Sequence, residues 1–146
     1  MTATVVPPAP GARTRWQRIK APTLLAVGVL AASVLLHLRD PHRSGSWGYC
    51  PWLLLTGTYC PGCGGLRAVN DLTDGDVAAA ASSNLLFVAS VPVLVLWWAR
   101  TTLDRWRGVV RQAPARRHVV LACAFAAVAV LFWVVRNTDA GAWLAP

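Results

Sequence analysis

The sequence predicts an all-α integral membrane protein with about three transmembrane helices, and with a cysteine-containing loop and a short helix between the first two. Of the 146 residues, 55% are hydrophobic and 14% are charged, a composition too apolar for an ordinary soluble domain. The apolar residues are gathered into three blocks without a formal charge. At a rise of ~1.5 Å per residue, each block comes close to spanning the ~30 Å hydrocarbon core of a bilayer.

The predicted segments alternate between spans and polar connections. The first apolar block has a basic flank like that of a signal peptide, but no small-x-small cleavage site follows it, so we expect the block to be retained. Pro92 lies within the second block and predicts a kink there, because proline removes a backbone donor. The segments are a disordered basic cytoplasmic tail over 1–20, transmembrane helices over 21–38, 77–99 and 119–135, an outer cysteine loop with a short helix over 39–76, a basic cytoplasmic loop over 100–118 and an outer tail over 136–146.

Basic residues set the predicted orientation. Of the 14 Lys and Arg residues, ten lie in the N-terminal tail or in the 100–118 loop. Positively charged segments stay in the cytoplasm, so we expect a multi-pass protein of the bacterial plasma membrane with a cytoplasmic N-terminus. The same rule accounts for the net charge of +8 without a nucleic-acid partner. We therefore expect the protein to lie in a lipid bilayer and to bind no nucleic acid.

Chemistry is concentrated in the outer loop, which holds three of the four cysteines. Cys50 precedes the run Cys60-Pro61-Gly62-Cys63-Gly64, in which proline and glycine favour a tight turn with backbone N–H groups directed at the two thiols. Cys123 lies in the middle of the third span and is expected to be a small apolar filler. The spacing of the loop cysteines leaves three interpretations open.

The first interpretation is a disulfide between Cys50 and either Cys60 or Cys63, which would staple the loop in an oxidising exterior. The second is a metal site, in which Cys50, Cys60 and Cys63 bind zinc and a histidine, His42 or His37, supplies the fourth ligand. Apart from zinc in this second interpretation, we expect no cofactor.

The third interpretation is thiol–disulfide exchange by Cys60 or Cys63, whose thiolate would be favoured by the start of a helix and by Arg67. Arg67 is also expected to pair with a carboxylate of the following acidic turn. Two further residues are predicted to support the loop. Asp76 would cap the second span, and Asn84 would hydrogen-bond the overlying loop or another helix.

Several short motifs follow one another from the first loop cysteine into the second span. They are Cys50, Leu55-Thr56-Gly57, Cys60-Pro61-Gly62-Cys63-Gly64, Arg67-Ala68, Gly75-Asp76, Ala79-Ala80 and Asn84. In this order they resemble a family of small bacterial membrane proteins classed as domain of unknown function 2752. The resemblance covers about a third of the chain and implies two or three spans with the cysteine motif at the membrane surface. It implies no activity, ligand or partner.

The residues favour a role other than catalysis. The sequence shows no pair of catalytic carboxylates, no nucleophile with its base and no phosphate-binding loop. We therefore predict an interaction or scaffold module whose cysteine-stapled outer loop docks on another membrane protein or on a second copy of the chain. Zinc binding and thiol–disulfide exchange through the Cys60 to Gly64 motif are the alternatives.

Overall fold

The computed structural model describes residues 14–43, 45–109 and 114–145. Within these ranges all regular structure is helical, which confirms the predicted fold class. Of the tail that the sequence predicts to be disordered, residues 1–20, the first 13 lie outside the described ranges. The elements are α1 (Arg15–Leu38), α2 (Pro51–Thr56), α3 (Gly65–Thr73), α4 (Val77–Arg107), α5 (Ala115–Arg136) and a C-terminal 3₁₀ helix (Asp139–Leu144).

Three helices, α1, α4 and α5, are long and apolar enough to cross a membrane. α1 begins six residues before its apolar block because Thr14 and Gln17 form a capping box, in which each side chain accepts from the other's backbone N–H. α4 continues past its apolar block to Arg107 and ends where Gly108 adopts a φ of +74°. Residues 15–20 and 100–107 are therefore helical, whereas the sequence placed them in the disordered tail and in the basic cytoplasmic loop.

Burial is reversed relative to a soluble protein. Leu, Val and Trp side chains along the three long helices are exposed, and at most 11% of each apolar span is buried inside the molecule. A protein in lipid turns its apolar side chains outward and satisfies its polar groups internally. The buried polar side chains in the described ranges are Asn70, Asp71, Ser83, Asn84 and Arg136.

The dihedral break in α4 lies at Asn84 and not at Pro92, where the sequence predicted a kink. Asn84 has an extended backbone, with φ −161° and ψ 93°, whereas the residues around Pro92 keep helical dihedral angles. The Asn84 Oδ1 atom accepts a hydrogen bond from the Phe87 N–H at 2.9 Å, as an N-cap residue does. α4 therefore consists of two consecutive helices, and Asn84 caps the second one.

The helices contact one another at both ends of the molecule. At one end, α3 packs on α4 and α1, with Ala68 and Ala80 fully buried between them. We call this the cysteine end, because α2 and the thiols lie beside α3. At the opposite end, Trp16 of α1 meets Trp106 of α4 edge to face, with ring centroids 5.7 Å apart. α5 packs on the C-terminal 3₁₀ helix, which also contacts α4.

Candidate functional site

Three thiols converge at the cysteine end. Cys50 lies immediately before α2, whereas Cys60 and Cys63 lie in the turn between α2 and α3. The Cys60 and Cys63 sulfur atoms are 2.8 Å apart, and those of Cys50 and Cys60 are 3.6 Å apart. All three sulfurs lie within 4.8 Å of one another. The structure thus brings together the three cysteines that the sequence singled out.

The predicted disulfide staple is not present. Cys50, Cys60 and Cys63, all of them described residues, are free thiols, and their sulfur atoms stand farther apart than the ~2.05 Å of a disulfide. Cys123 is also a free thiol and is exposed on α5. Hydrogen bonds from other elements, described below, hold the loop in place of a covalent bridge.

The turn that carries Cys60 and Cys63 is closed by its own backbone. The Cys63 N–H donates to the Cys60 carbonyl at 3.1 Å, and the Cys60 N–H donates to the Cys63 sulfur at 3.1 Å. Gly64 follows with a φ of +81°, a left-handed conformation that favours glycine, and α3 begins at the next residue. A backbone N–H directed at a cysteine sulfur is the arrangement that the sequence predicts for this turn.

The thiols differ in acidity. The N–H of Leu53, in the first turn of α2, favours the Cys50 thiolate and lowers the pKa of that thiol below its usual value. Burial is the main cause that raises the pKa of the Cys63 thiol to about 12. The sequence assigned the favoured thiolate to Cys60 or Cys63, but the structure assigns it to Cys50, because Cys50 immediately precedes a helix.

Two buried side chains hold the turn from outside. The Asn84 side-chain amide donates to the carbonyls of Pro61 and Cys63, at 2.9 and 3.0 Å. The residue at which α4 breaks therefore also supports the cysteine turn. Arg136, at the end of α5, donates from one guanidinium nitrogen to the carbonyls of Cys60 and Cys63, at 2.9 and 3.1 Å. The sequence predicted the contact from Asn84 to the loop but not the one from Arg136.

The C-terminal residues complete this support. The second terminal nitrogen of Arg136 donates to the Leu144 carbonyl at 2.9 Å, and the Asn137 side chain exchanges two hydrogen bonds with the backbone of Tyr59, at 2.8 and 2.9 Å. Gly141 is buried against the last turn of α5, where a β-carbon would collide with the Val135 carbonyl. An arginine at the end of an apolar helix, away from the basic loops, was the signal in the sequence that could have identified this role.

A cavity of about 520 Å³ opens beside the thiols. Its wall includes Cys50, Cys60 and Cys63 together with Arg43 and Arg67, and no Asp or Glu of the described residues lines it. The predicted pairing of Arg67 with a carboxylate of the acidic turn is not found among the described residues, where Asp71 and Asp74 contact histidines instead. Arg67 is partly exposed and lines the cavity, so its charge can interact with a ligand there.

The remaining predicted residues lie outside the thiol group. His42 Nε2 is 2.8 Å from Asp71 Oδ1, and Ser83 donates to the other oxygen of the same carboxylate at 2.8 Å. This network satisfies a buried aspartate and keeps His42 away from the three sulfurs in this conformation. His37 instead contacts the carboxylate of Asp74. Asp76 accepts from the Ala79 N–H at 2.8 Å and caps α4, as the sequence predicted.

Comparison with known proteins gives one result. Residues 50–98 match a family described as protein of unknown function (DUF2752). This part of the chain is similar to the DUF2752 family. The match confirms the resemblance seen in the sequence, and the region contains α2, α3, all three thiols and most of α4. No curated protein and no solved structure matches the chain. Arg136 and Asn137, which hold the thiol turn, lie outside the matched residues.

Proposed function

We propose that this protein binds a zinc ion through the Cys50, Cys60 and Cys63 thiolates, at the surface of a membrane. The observation that carries the proposal is the approach of three sulfur atoms to within 4.8 Å of one another without a disulfide. Thiolates are strong ligands for zinc, and three sulfurs this close together are suited to hold a divalent cation.

The sulfur positions suit tetrahedral coordination. With a Zn–S bond of ~2.3 Å, two sulfurs on a tetrahedral ion are separated by about 3.8 Å. Cys50 and Cys60 already stand 3.6 Å apart. Cys60 and Cys63, at 2.8 Å, would need to separate by about 1 Å, which rotation of one side chain supplies. Binding would release protons from the thiols and replace them with the metal.

The zinc site proposed here has three protein ligands, whereas the site predicted from the sequence had a histidine as the fourth. Among the described residues, no further His, Cys, Asp or Glu joins the group of three sulfurs. A site with three protein ligands leaves one coordination position for water or for another molecule, whereas structural zinc sites close all four. The open cavity beside the thiols supplies the space for that fourth ligand.

Metal analysis of the detergent-purified protein tests this proposal. We expect about one zinc ion per chain after addition of zinc and desalting, and loss of most of it in Cys60→Ser and Cys63→Ser. Cys123→Ser is the matched control, because it removes an exposed thiol from α5 and leaves the turn intact. Circular dichroism would verify that each variant keeps its helical content. A wild-type protein that retains no zinc, or Cys60→Ser protein that retains as much as the wild type, would refute the proposal.

Thiol–disulfide exchange is a second candidate, favoured by the lowered pKa of Cys50. A Cys50 thiolate can attack a disulfide of a partner protein, which forms a mixed disulfide and releases one partner thiolate. Cys60, whose sulfur is 3.6 Å from that of Cys50, can then attack the mixed disulfide and release the second partner thiol. The partner gains two electrons, and Cys50 and Cys60 become a disulfide. A mixed disulfide that accumulates in Cys60→Ser cells would favour this function over zinc binding.

We also propose that the cysteine end faces the outside of a bacterial plasma membrane. Support comes from the ten basic residues that belong to the N-terminal tail and the 100–118 loop, since such segments remain cytoplasmic. Docking of the loop on another membrane protein or on a second copy stays a prediction. We rank it below metal binding, because the disulfide staple on which it relied is not formed.

A further inference from the structure

We propose that the cavity beside the thiols admits a small anion, which supplies the fourth ligand of the metal while Arg43 and Arg67 attract its negative charge. This inference rests on the proposed zinc site and identifies the class of molecule that would occupy its open position. It assigns the two arginines a role in recognition, which the metal site by itself does not require.

Charge is the first argument. A divalent ion with three thiolates carries one net negative charge, and the guanidinium groups of Arg43 and Arg67 in the cavity wall carry two positive charges. No carboxylate of the described residues lines the cavity, and neither arginine has an ion pair there. The surplus positive charge is therefore available to an anionic ligand, which guanidinium groups bind through charge-assisted hydrogen bonds.

Space and shape are the second argument. A cavity of about 520 Å³ falls within the range of small-molecule sites, which is ~300 to 1,000 Å³. Its lining also includes Trp47, Tyr49 and Tyr59, residues whose side chains can supply apolar contact to a bound molecule. The sulfurs and the two arginines line the same cavity, so one molecule can reach the metal with a donor atom and the arginines with a negative group.

The test uses the purified full-length protein loaded with one equivalent of Co²⁺, whose absorption bands report the number of thiolate ligands. Mercaptoacetate is the anionic probe, and 2-mercaptoethanol is the neutral probe with the same donor. We expect mercaptoacetate to bind about tenfold more tightly, and we expect Arg43→Gln and Arg67→Gln to reduce that preference to less than about threefold. Cobalt that remains with the protein after desalting shows that the probe has not removed the metal.

Arg100→Gln is the matched control, because Arg100 is exposed near the C-terminal end of α4 and does not line the cavity. It should keep the full preference for the anionic probe. Equal affinity for the two probes, or no change in the cobalt spectrum with either, would overturn the inference while the metal site stands. Absence of thiolate-to-cobalt bands before any probe is added would refute the proposed metal site and this inference with it.

Discussion

Single residues decide the chemistry of the thiol group. Cys50 and Cys63 have the same side chain, but one precedes a helix and the other is desolvated, so their pKa values shift in opposite directions. A helix start stabilises a thiolate, whereas burial penalises any charge. The metal-free protein should therefore have one reactive thiol and one inert thiol within a few ångströms of each other.

Alkylation rates of the metal-free protein check this difference. The thiolate is the reactive form, and the lowered pKa of Cys50 makes it abundant at a lower pH, whereas Cys63, with its pKa near 12, stays protonated through the neutral and mildly alkaline range. We expect iodoacetamide at pH 7.5 to modify Cys50 at least about tenfold faster than Cys63, as measured by mass spectrometry of the peptides. The two rates should converge in denaturant. Equal rates in the folded protein would contradict the assigned environments.

Asn84 shows how one side chain can join two elements. Its amide nitrogen donates to two carbonyls of the cysteine turn, and its oxygen caps the second part of α4. The side chain is almost fully buried, so water cannot replace these partners.

Replacement of Asn84 should destabilise the folded protein. We expect Asn84→Ala to lower the free energy of unfolding in detergent by about 2 to 4 kcal/mol, because the Pro61 carbonyl and the Phe87 N–H lose their side-chain partner and the Cys63 carbonyl loses one of two. Ser82→Ala is the control, since Ser82 is exposed and bonds a carbonyl of its own helix. The measurement is unfolding by denaturant, followed by circular dichroism. A loss no larger than that of the control would show that the contacts do not matter.

At the scale of elements, α5 acts through its last turn. None of its apolar span is buried inside the molecule, yet Arg136 is 1% exposed and reaches two carbonyls of the cysteine turn. The aromatic rings of Phe132 and Tyr59 flank the guanidinium, with ring centres 4.9 and 5.8 Å away. The end of the third span is thus connected to the thiol turn by Arg136, and to Tyr59 beside that turn by Asn137.

Arg136→Gln should loosen the site without removing any ligand. Residues that orient a metal-binding turn typically change metal affinity by about 10- to 100-fold, and we expect a weakening of zinc binding in this range. Competition with a coloured chelator measures the affinity. Arg117→Gln, an exposed arginine at the other end of α5, is the control and should bind zinc as the wild type does. Unchanged affinity in Arg136→Gln would show that the turn keeps its shape without this anchor.

At the scale of the whole molecule, the buried polar side chains of the described residues are collected at the cysteine end, and apolar side chains cover the long helices. This distribution is stable when lipid surrounds the helices and water meets their ends. The thiols, the two cavity arginines and their supporting residues therefore belong to one end of a protein whose remaining surface is mostly apolar.

The orientation predicted from the basic residues can be tested on the two ends of α4. Val77 and Arg107 are exposed at the first and last positions of this helix. We expect a membrane-impermeant maleimide to label Val77→Cys in intact bacterial cells, and to label Arg107→Cys only after the cells are permeabilised. Mass spectrometry of the labelled peptides distinguishes the new cysteines from the native ones. The reverse pattern would mean that the cysteine end is cytoplasmic.

The sequence by itself determined the helical class, the three span-length helices and the DUF2752 resemblance. These features depend on composition and on residues that are close in the chain, which is why uncharged apolar blocks and the order of short motifs were enough. The cap formed by Asp76 was predictable for the same reason, since a cap is a local interaction.

The tertiary structure decided which residues meet at the site. Arg136 is 73 positions from Cys63, and no periodicity in the sequence links the two. The metal interpretation of the sequence placed His42 or His37 beside the sulfurs, but His42 contacts the buried carboxylate of Asp71 instead. The break in α4 lies at Asn84 and not at Pro92, because Asn84 bonds the carbonyls of the cysteine turn. Such choices depend on which buried polar groups need partners, and that is known only when the helices are packed.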